Sequence, residues 1–200
     1  MKKTERKTEM ANIALVIAGG VGARMGQDIP KQFINVYDKP VIIYTLEAFQ
    51  KHKDIDAIEV VCLDGWHEVL RAYAKQFGIA KLENIVSGGK NGQDSIRNGL
   101  YDIYKRYNDK DDIVLIHDAI RPMLDQEVIS DNIKVCRQYG NAITVVPCTA
   151  AMLKTFDSLS TTEQVARDNL KITQTPQAFF VEDIVDAHQE VEIISKRCIN

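Results

Sequence analysis

The chain has 200 residues, 45% hydrophobic, 26% charged and 7% aromatic, enough apolar material for a sizeable core and a composition that excludes disordered, collagen-like and fibrous classes. Lys and Arg number 25 against 28 Asp and Glu, a formal charge of −3 with a pI near 5.8, so no overall basic field attracts nucleic acid. The longest apolar runs, residues 13–18 and 41–43, fall far short of the roughly 20 residues that span a membrane.

Residues 1–11 are charged, carry no small-residue cleavage site and read as a disordered, solvated tail, with Met10 an alternative start. The segment Asn12-Ile-Ala-Leu-Val-Ile-Ala18 is a continuous β-branched run ended by Gly19 and Gly20, the pattern of a strand buried on both faces of a parallel sheet. Similar runs follow at residues 57–63, 84–86, 112–116 and 142–146. Helical spacing separates them. Residues 40–51 place Ile43, Leu46 and Phe49 near one face, and residues 66–77 do the same with Val69, Leu70 and Tyr73 before Gly78. Residues 94–107 repeat Ile96, Leu100, Ile103 and Tyr107 at helical intervals, with Asp94 or Ser95 as the cap, and residues 126–139 make a fourth helix. Strands alternating with helices predict βαβ units: an α/β fold with a mainly parallel sheet and helices on both faces.

No repeat or Pro-rich linker divides the chain, so residues 12–200 read as one domain. Between residues 147 and 172 the rhythm breaks into a protruding arm, where residues 152–156 and 170–173 flank the turn-like Ser158-Leu-Ser-Thr-Thr162 as a two-stranded excursion. Such an arm buries itself poorly, and a homodimer through it is the expectation. The cysteines Cys62, Cys136, Cys148 and Cys198 lie far apart without metal-ligand spacing, which reads as reduced thiols and a cytoplasmic protein.

The sharpest local feature is Ile17-Ala-Gly-Gly-Val-Gly-Ala-Arg-Met-Gly26, shortly followed by Pro30-Lys-Gln-Phe33. Glycines at a strand exit let backbone N–H groups approach a phosphate chain closely. The dinucleotide fingerprint fails, because Met25 stands where its third glycine belongs, and the Gly-Lys-Ser or Gly-Lys-Thr of a Walker A loop is absent. What remains is a glycine loop with two cations, Arg24 and Lys31, suited either to a phosphoryl group in transfer or to plain solvation. Asp118 follows the strand at residues 112–116, at the sheet edge where open α/β folds hold ligands; it reads as a metal ligand or as a cap or turn carboxylate. Arg121 can pair with Asp118 or reach a phosphate, and His117 reads as a packed histidine.

The order A-G-G-x-G-x-R-M-G, then P-K-Q-F, resembles the cytidylyltransferases that make CDP-linked polyols, the family of the 2-C-methyl-D-erythritol 4-phosphate and ribitol 5-phosphate enzymes. Ser87-Gly-Gly89 with Asp94-Ser-Ile96 is similar to the family's second nucleotide loop. His117-Asp-Ala-Ile-Arg-Pro122 resembles its H-D-[AS]-x-R-P signature, and Arg167-Asp-Asn-Leu170 with Gln174-Thr-Pro-Gln177 its R-x-x-L/M-x-x-x-Q-T-P-Q pattern. The resemblance covers residues 13–180. It implies a Rossmann-like nucleotidyltransferase that joins CTP to a polyol phosphate and releases pyrophosphate. By motif position, Ile17, Ala18, Gly19, Gly20, Gly88, Gly89, Lys90, Asp94 and Ser95 would bind the nucleotide. Arg24 and Lys31 would be catalytic, Asp118 would hold Mg2+, and Arg167 and Thr149 would bind the acceptor.

Three stretches depart from the family pattern. Lys90-Asn-Gly-Gln93 replaces a more charged stretch, with Lys90 as the substitute cation. Thr149-Ala-Ala-Met152 stands where an Asp-Thr pair is usual, so Thr149 compensates, the acceptor differs, or activity is impaired. The chain stops at Asn200, before a lysine-bearing segment of the family, which reads as a truncated acceptor half. Two other functions fit the same residues: transfer of another nucleotide to a sugar phosphate, and an inactive relative that only binds nucleotide or dimerises.

Overall fold

The computed structural model describes residues 10–20, 29–107 and 109–197. Arg24, Cys198 and residues 1–9 of the expected tail lie outside the described residues.

Strand β1 (Asn12–Ala18) sits in the middle of a six-stranded sheet because Ile13, Ala14, Leu15 and Val16 are apolar on both faces and all fully buried. Around it the order is β5 (Leu82–Ser87), β4 (Ala57–Cys62), β1, β6 (Ile113–Asp118), β10 (Lys171–Phe180) and β7 (Asn141–Pro147). The first four strands are parallel, and β10 runs antiparallel to both β6 and β7. From β1 the chain steps outward to β4 and β5, then returns to the other side of β1 as β6. The β1–β6 boundary is therefore the topological switch point, where carboxyl ends of strands open a crevice.

Helices cover both faces. On one, α1 (Val41–Lys51), α2 (His67–Gln76) and α4 (Gln126–Tyr139) bury Ile42, Leu46, Phe49, Leu70 and Ile129 against Ala14, Val16, Val60 and Leu115. On the other, α3 (Gly92–Arg106) and α5 (Val181–Arg197) bury Leu100, Ile103, Val181 and Val185 against Ile13, Leu15 and Val114. This is the α/β arrangement expected from the alternating pattern.

Several local expectations need correction. Helix α3 is capped by Asn91, whose side-chain oxygen accepts the Asp94 N–H at 2.9 Å, rather than by Asp94 or Ser95. Residues 170–173 do not pair within the arm. The excursion is β8 (Met152–Lys154) against β9 (Glu163–Val165), while Lys171 opens the ten-residue β10 that pairs with β7. A small hairpin, β2 (Asn35–Val36) with β3 (Lys39–Pro40), was not legible in the pattern.

Candidate active site

The cleft begins where β1 ends. A Cβ built on Gly19 would approach Ser95 Oγ at 3.2 Å and Gly88 Cα at 3.3 Å, so the two glycine loops touch nearly backbone to backbone. Gly89 is tighter still, with a Cβ there only 2.3 Å from Asp94 Cβ. The Gly89 N–H donates to Ser95 Oγ at 2.9 Å, and that hydroxyl donates to the Asn91 carbonyl at 2.9 Å. Ser95 thus staples the loop to the first turn of α3, whose N-terminal N–H groups and dipole favour an anion in front of them.

Pro30, with its fixed φ, opens a single 3-10 turn, Lys31–Phe33, closed by the Phe33 N–H donating to the Pro30 carbonyl at 2.8 Å. Gln32 is buried, and its amide nitrogen donates to the carbonyls of Ala18 at 2.7 Å and Gly20 at 3.1 Å. Ala18 closes β1 and Gly20 lies in the glycine exit beyond it, so the glutamine ties the turn both to the strand end and to the exit. Sequence reasoning singled out Lys31 and passed over Gln32, although both stand in the same Pro-Lys-Gln-Phe motif.

The opposite wall is the end of β6. Asp118 Oδ2 accepts from Arg121 Nε at 2.7 Å, and the Arg121 N–H donates to the Asp118 carbonyl at 3.1 Å, so this carboxylate shapes a turn. It does not cap α4, whose cap is Asp125. Arg121 also contacts the Gln174 side chain, and the Asp118 N–H reaches Thr175 Oγ1 at 3.4 Å. His117 is buried and donates from Nε2 to the Arg121 carbonyl at 3.0 Å. Burial lowers its pKa and so favours the neutral ring, consistent with a packed, turn-closing histidine. Thr45 of α1 ties the same turn from below, donating to the Ala119 carbonyl at 2.8 Å.

These walls enclose a cleft of about 700 Å3 lined by Ile17, Ala18, Gly19, Gly20, Lys31, Gly89, Lys90, Ser95 and Asp118, among others. Gly88 lies beneath the lining, against Gly19. Asp94 turns away, held by Asn91 at 3.0 Å and Arg97 at 3.0 Å, and borders a neighbouring groove instead. Arg167 and Thr149 meet each other at the base of the arm, Nη1 to carbonyl at 3.4 Å, and are not part of the cleft lining. A second cavity of about 460 Å3 shares Ile120 and Arg121 with the cleft and presents Thr144, Gln174 and Thr175. Among the described residues no cluster of three His, Cys, Asp or Glu side chains is placed to hold a metal, so Asp118 is a lone carboxylate facing the cleft. Cys62 and Cys136 are buried thiols whose pKa burial pushes up to about 11, which removes them from chemistry at neutral pH.

The profile of the IspD family, 2-C-methyl-D-erythritol 4-phosphate cytidylyltransferase, matches residues 12–197. A ribitol-5-phosphate cytidylyltransferase of Lacticaseibacillus paracasei is 44% identical over 88% of this chain and 75% of its own length. One of Vibrio parahaemolyticus is 41% identical over 90% of this chain and 75% of its own. A 2-C-methyl-D-erythritol 4-phosphate cytidylyltransferase of Clostridium botulinum is 36% identical over 93% of this chain and 80% of its own. In fold, the crystal structure of 4-diphosphocytidyl-2C-methyl-D-erythritol synthase from Anaerococcus prevotii superposes with a TM-score of 0.77 at 23% identity, covering 92% of this chain and 76% of that one. The match across nearly the whole chain, with relatives well above 30% identity, places this protein in the IspD family of cytidylyltransferases, a nucleotidyltransferase family.

Proposed function

We propose that the chain transfers a cytidylyl group from CTP to a polyol phosphate, releasing pyrophosphate, with ribitol 5-phosphate as the favoured acceptor. The observation that carries this reading is one cleft at the switch point that gathers the β1 glycine exit, the Gly89 loop, Lys31 and Asp118. The preference for ribitol 5-phosphate rests on relatives of that name being 44% and 41% identical, against 36% for those named for 2-C-methyl-D-erythritol 4-phosphate.

In the reaction an oxygen of the acceptor phosphate attacks the α-phosphorus of CTP in line, and the bond to the bridging oxygen of the β-phosphate breaks. A phosphate dianion is already a nucleophile, so no general base is required. Backbone groups at Ala18 and Gly19, with the Gly89 loop, read the pyrimidine in a space too close-walled for bulkier side chains. Lys31, together with Arg24, neutralises the charge that builds on the α-phosphate in the transition state. Among the described residues the cleft presents one carboxylate, Asp118, which suits Mg2+, an ion that takes one or two carboxylates and completes its shell with substrate phosphates and water. When bound at Asp118 it would neutralise the triphosphate and the departing pyrophosphate. The adjoining cavity, with hydroxyl and amide groups of Thr144, Gln174 and Thr175, suits the hydroxyls of the acceptor.

Arg167 and Thr149 grip the acceptor phosphate in this reading only when the arm of a second copy reaches across, which makes a cytoplasmic homodimer part of the proposal. The arm's outward apolar side chains, Leu153, Phe156 and Leu159, support it. Sedimentation velocity at micromolar concentration is expected to give a dimer, and a Phe156→Ser/Leu159→Ser double variant a shift toward monomer. For the chemistry, pyrophosphate release is measured with CTP, UTP and dTTP against ribitol 5-phosphate and 2-C-methyl-D-erythritol 4-phosphate. CTP with ribitol 5-phosphate is expected to be the most active pair; activity with UTP but not CTP would overturn the base assignment.

A further inference from the structure

Lys31 stands on a turn of only three residues, and so short a turn cannot hold a side chain in place unless something braces it from outside. One brace is Gln32, which hooks the turn to the β1 exit through the Ala18 and Gly20 carbonyls. The other is Phe33. Its ring is buried, and it stacks on Trp66 with centroids 4.6 Å apart and planes inclined by 22°. Trp66 is the only tryptophan of the chain. It stands at the start of α2, and its own N–H donates to the Leu63 carbonyl at 3.1 Å. Leu63 follows β4 and lines the cleft. The stack therefore bridges two rims of the cleft that no backbone hydrogen bond joins directly among the described residues, one built after β1 and the other after β4.

We propose that Trp66 is a positioning residue for the transfer step: stacked on Phe33, it holds the Lys31 turn against the β4 rim, so that the ammonium meets the transferring phosphoryl group at a fixed place. The inference rests on the reading that Lys31 acts on that group. A positioned charge that works mainly in the transition state appears in kcat, whereas a residue that only stabilises the fold leaves kcat per folded molecule intact.

The test uses the full chain with CTP, Mg2+ and the best acceptor, and measures kcat, KM for CTP and thermal melting for W66A, W66F, K31A and the K31A/W66A double variant. W66A is expected to lower kcat roughly fivefold, the order that loss of an aromatic pair gives, with KM for CTP changing less than about twofold. W66F, which keeps a stackable ring, is expected to recover most of that loss. In the K31A background W66A is expected to cost nothing further, because two residues that act through one ammonium are not additive. An unchanged kcat in W66A, a loss confined to KM, or a full additive loss on top of K31A would overturn the positioning role. If K31A itself turns over like the wild type, the role of Lys31 fails and the inference falls with it; a slow K31A beside a normal W66A overturns the inference alone. Should W66A melt below the assay temperature, F33L removes the other face of the stack and is judged by the same outcomes.

Discussion

At the scale of single residues, the cleft is built less by charged groups than by small and amide side chains that fix the backbone. Gly89 shows this most sharply, because a methyl group there would lie 2.3 Å from Asp94 Cβ and 2.6 Å from the Asp94 carbonyl carbon. Neither atom can swing aside, since both sit in the first turn of α3 under the Asn91 cap. Gly89→Ala must therefore push the loop outward, breaking the 2.9 Å bond from its N–H to Ser95 Oγ. Overpacking of this kind costs about 1–3 kcal/mol. Because Gly89 and Ser95 both line the cleft, most of the effect is expected as a rise of at least about tenfold in the dissociation constant for CTP, measurable by calorimetry. Melting should fall by only a few degrees; CTP affinity equal to wild type would show that the loop has room the geometry denies it.

At the scale of elements, what the sequence revealed follows from which residues are forced to be apolar. The strands β1, β4 and β6 are largely buried on both faces, so they appear as mainly apolar runs that can be read without any partner, interrupted by Glu59 in β4 and ended by His117 and Asp118 in β6. Strand β10 is the opposite case. Its first residues, Lys171 to Thr173, are exposed, its register slips between Thr173 and Gln177 around a cis Thr175–Pro176 bond, and its polar Gln174-Thr-Pro-Gln177 looks like loop chemistry. Only its pairing with β6 and β7, which is tertiary, makes it a strand. The same logic separates the site residues. The glycine exits and Asp118 are legible as cleft residues because strand ends at a switch point converge by topology alone, and Lys31 because its charge stands out in the Pro-Lys-Gln-Phe motif. Gln32 carries no titratable signal and gains its role only when the Lys31–Phe33 turn folds back on the β1 exit. Arg167 and Thr149 sit on the arm, and where an arm points is decided by whatever it packs against. The start of α3 was displaced for a similar reason: apolar spacing begins at Ile96, whereas the helix starts at Gly92 on the strength of the Asn91 cap, a feature of hydrogen bonding rather than of hydrophobicity.

At the scale of the whole molecule, the parallel half of the sheet carries the cleft and the antiparallel half carries the arm, while the stability of the parallel half holds one costly feature. Glu59 lies in β4 between Leu15 and Asn84, wholly buried under α3, where every neighbouring position of the strand is apolar. Arg106 of α3 contacts its Oε2 and also binds Asp102 at 2.9 Å and Glu83 at 3.0 Å, so one guanidinium serves three carboxylates. Burial pushes the Glu59 carboxyl up to about 8, and Asp102 adds to the rise, against the pull of Arg106. In the unfolded chain this carboxyl ionises near its ordinary value of 4.5. Between those two values the folded protein holds a proton that the unfolded chain has released, so stability falls as pH rises from about 5 to 8. Glu59→Gln keeps an acceptor oxygen for Arg106 and removes the titration. Wild-type melting is expected to drop across that window relative to E59Q by roughly 7–14 °C, the shift that the ~3.5 kcal/mol of proton linkage between those two values produces in a chain of this size. Thermal melts of both proteins at pH 5, 6.5 and 8 decide it: curves that converge at pH 5 and separate toward pH 8 fit a buried carboxyl that costs stability when it ionises, whereas parallel curves would mean that Arg106 keeps Glu59 charged throughout.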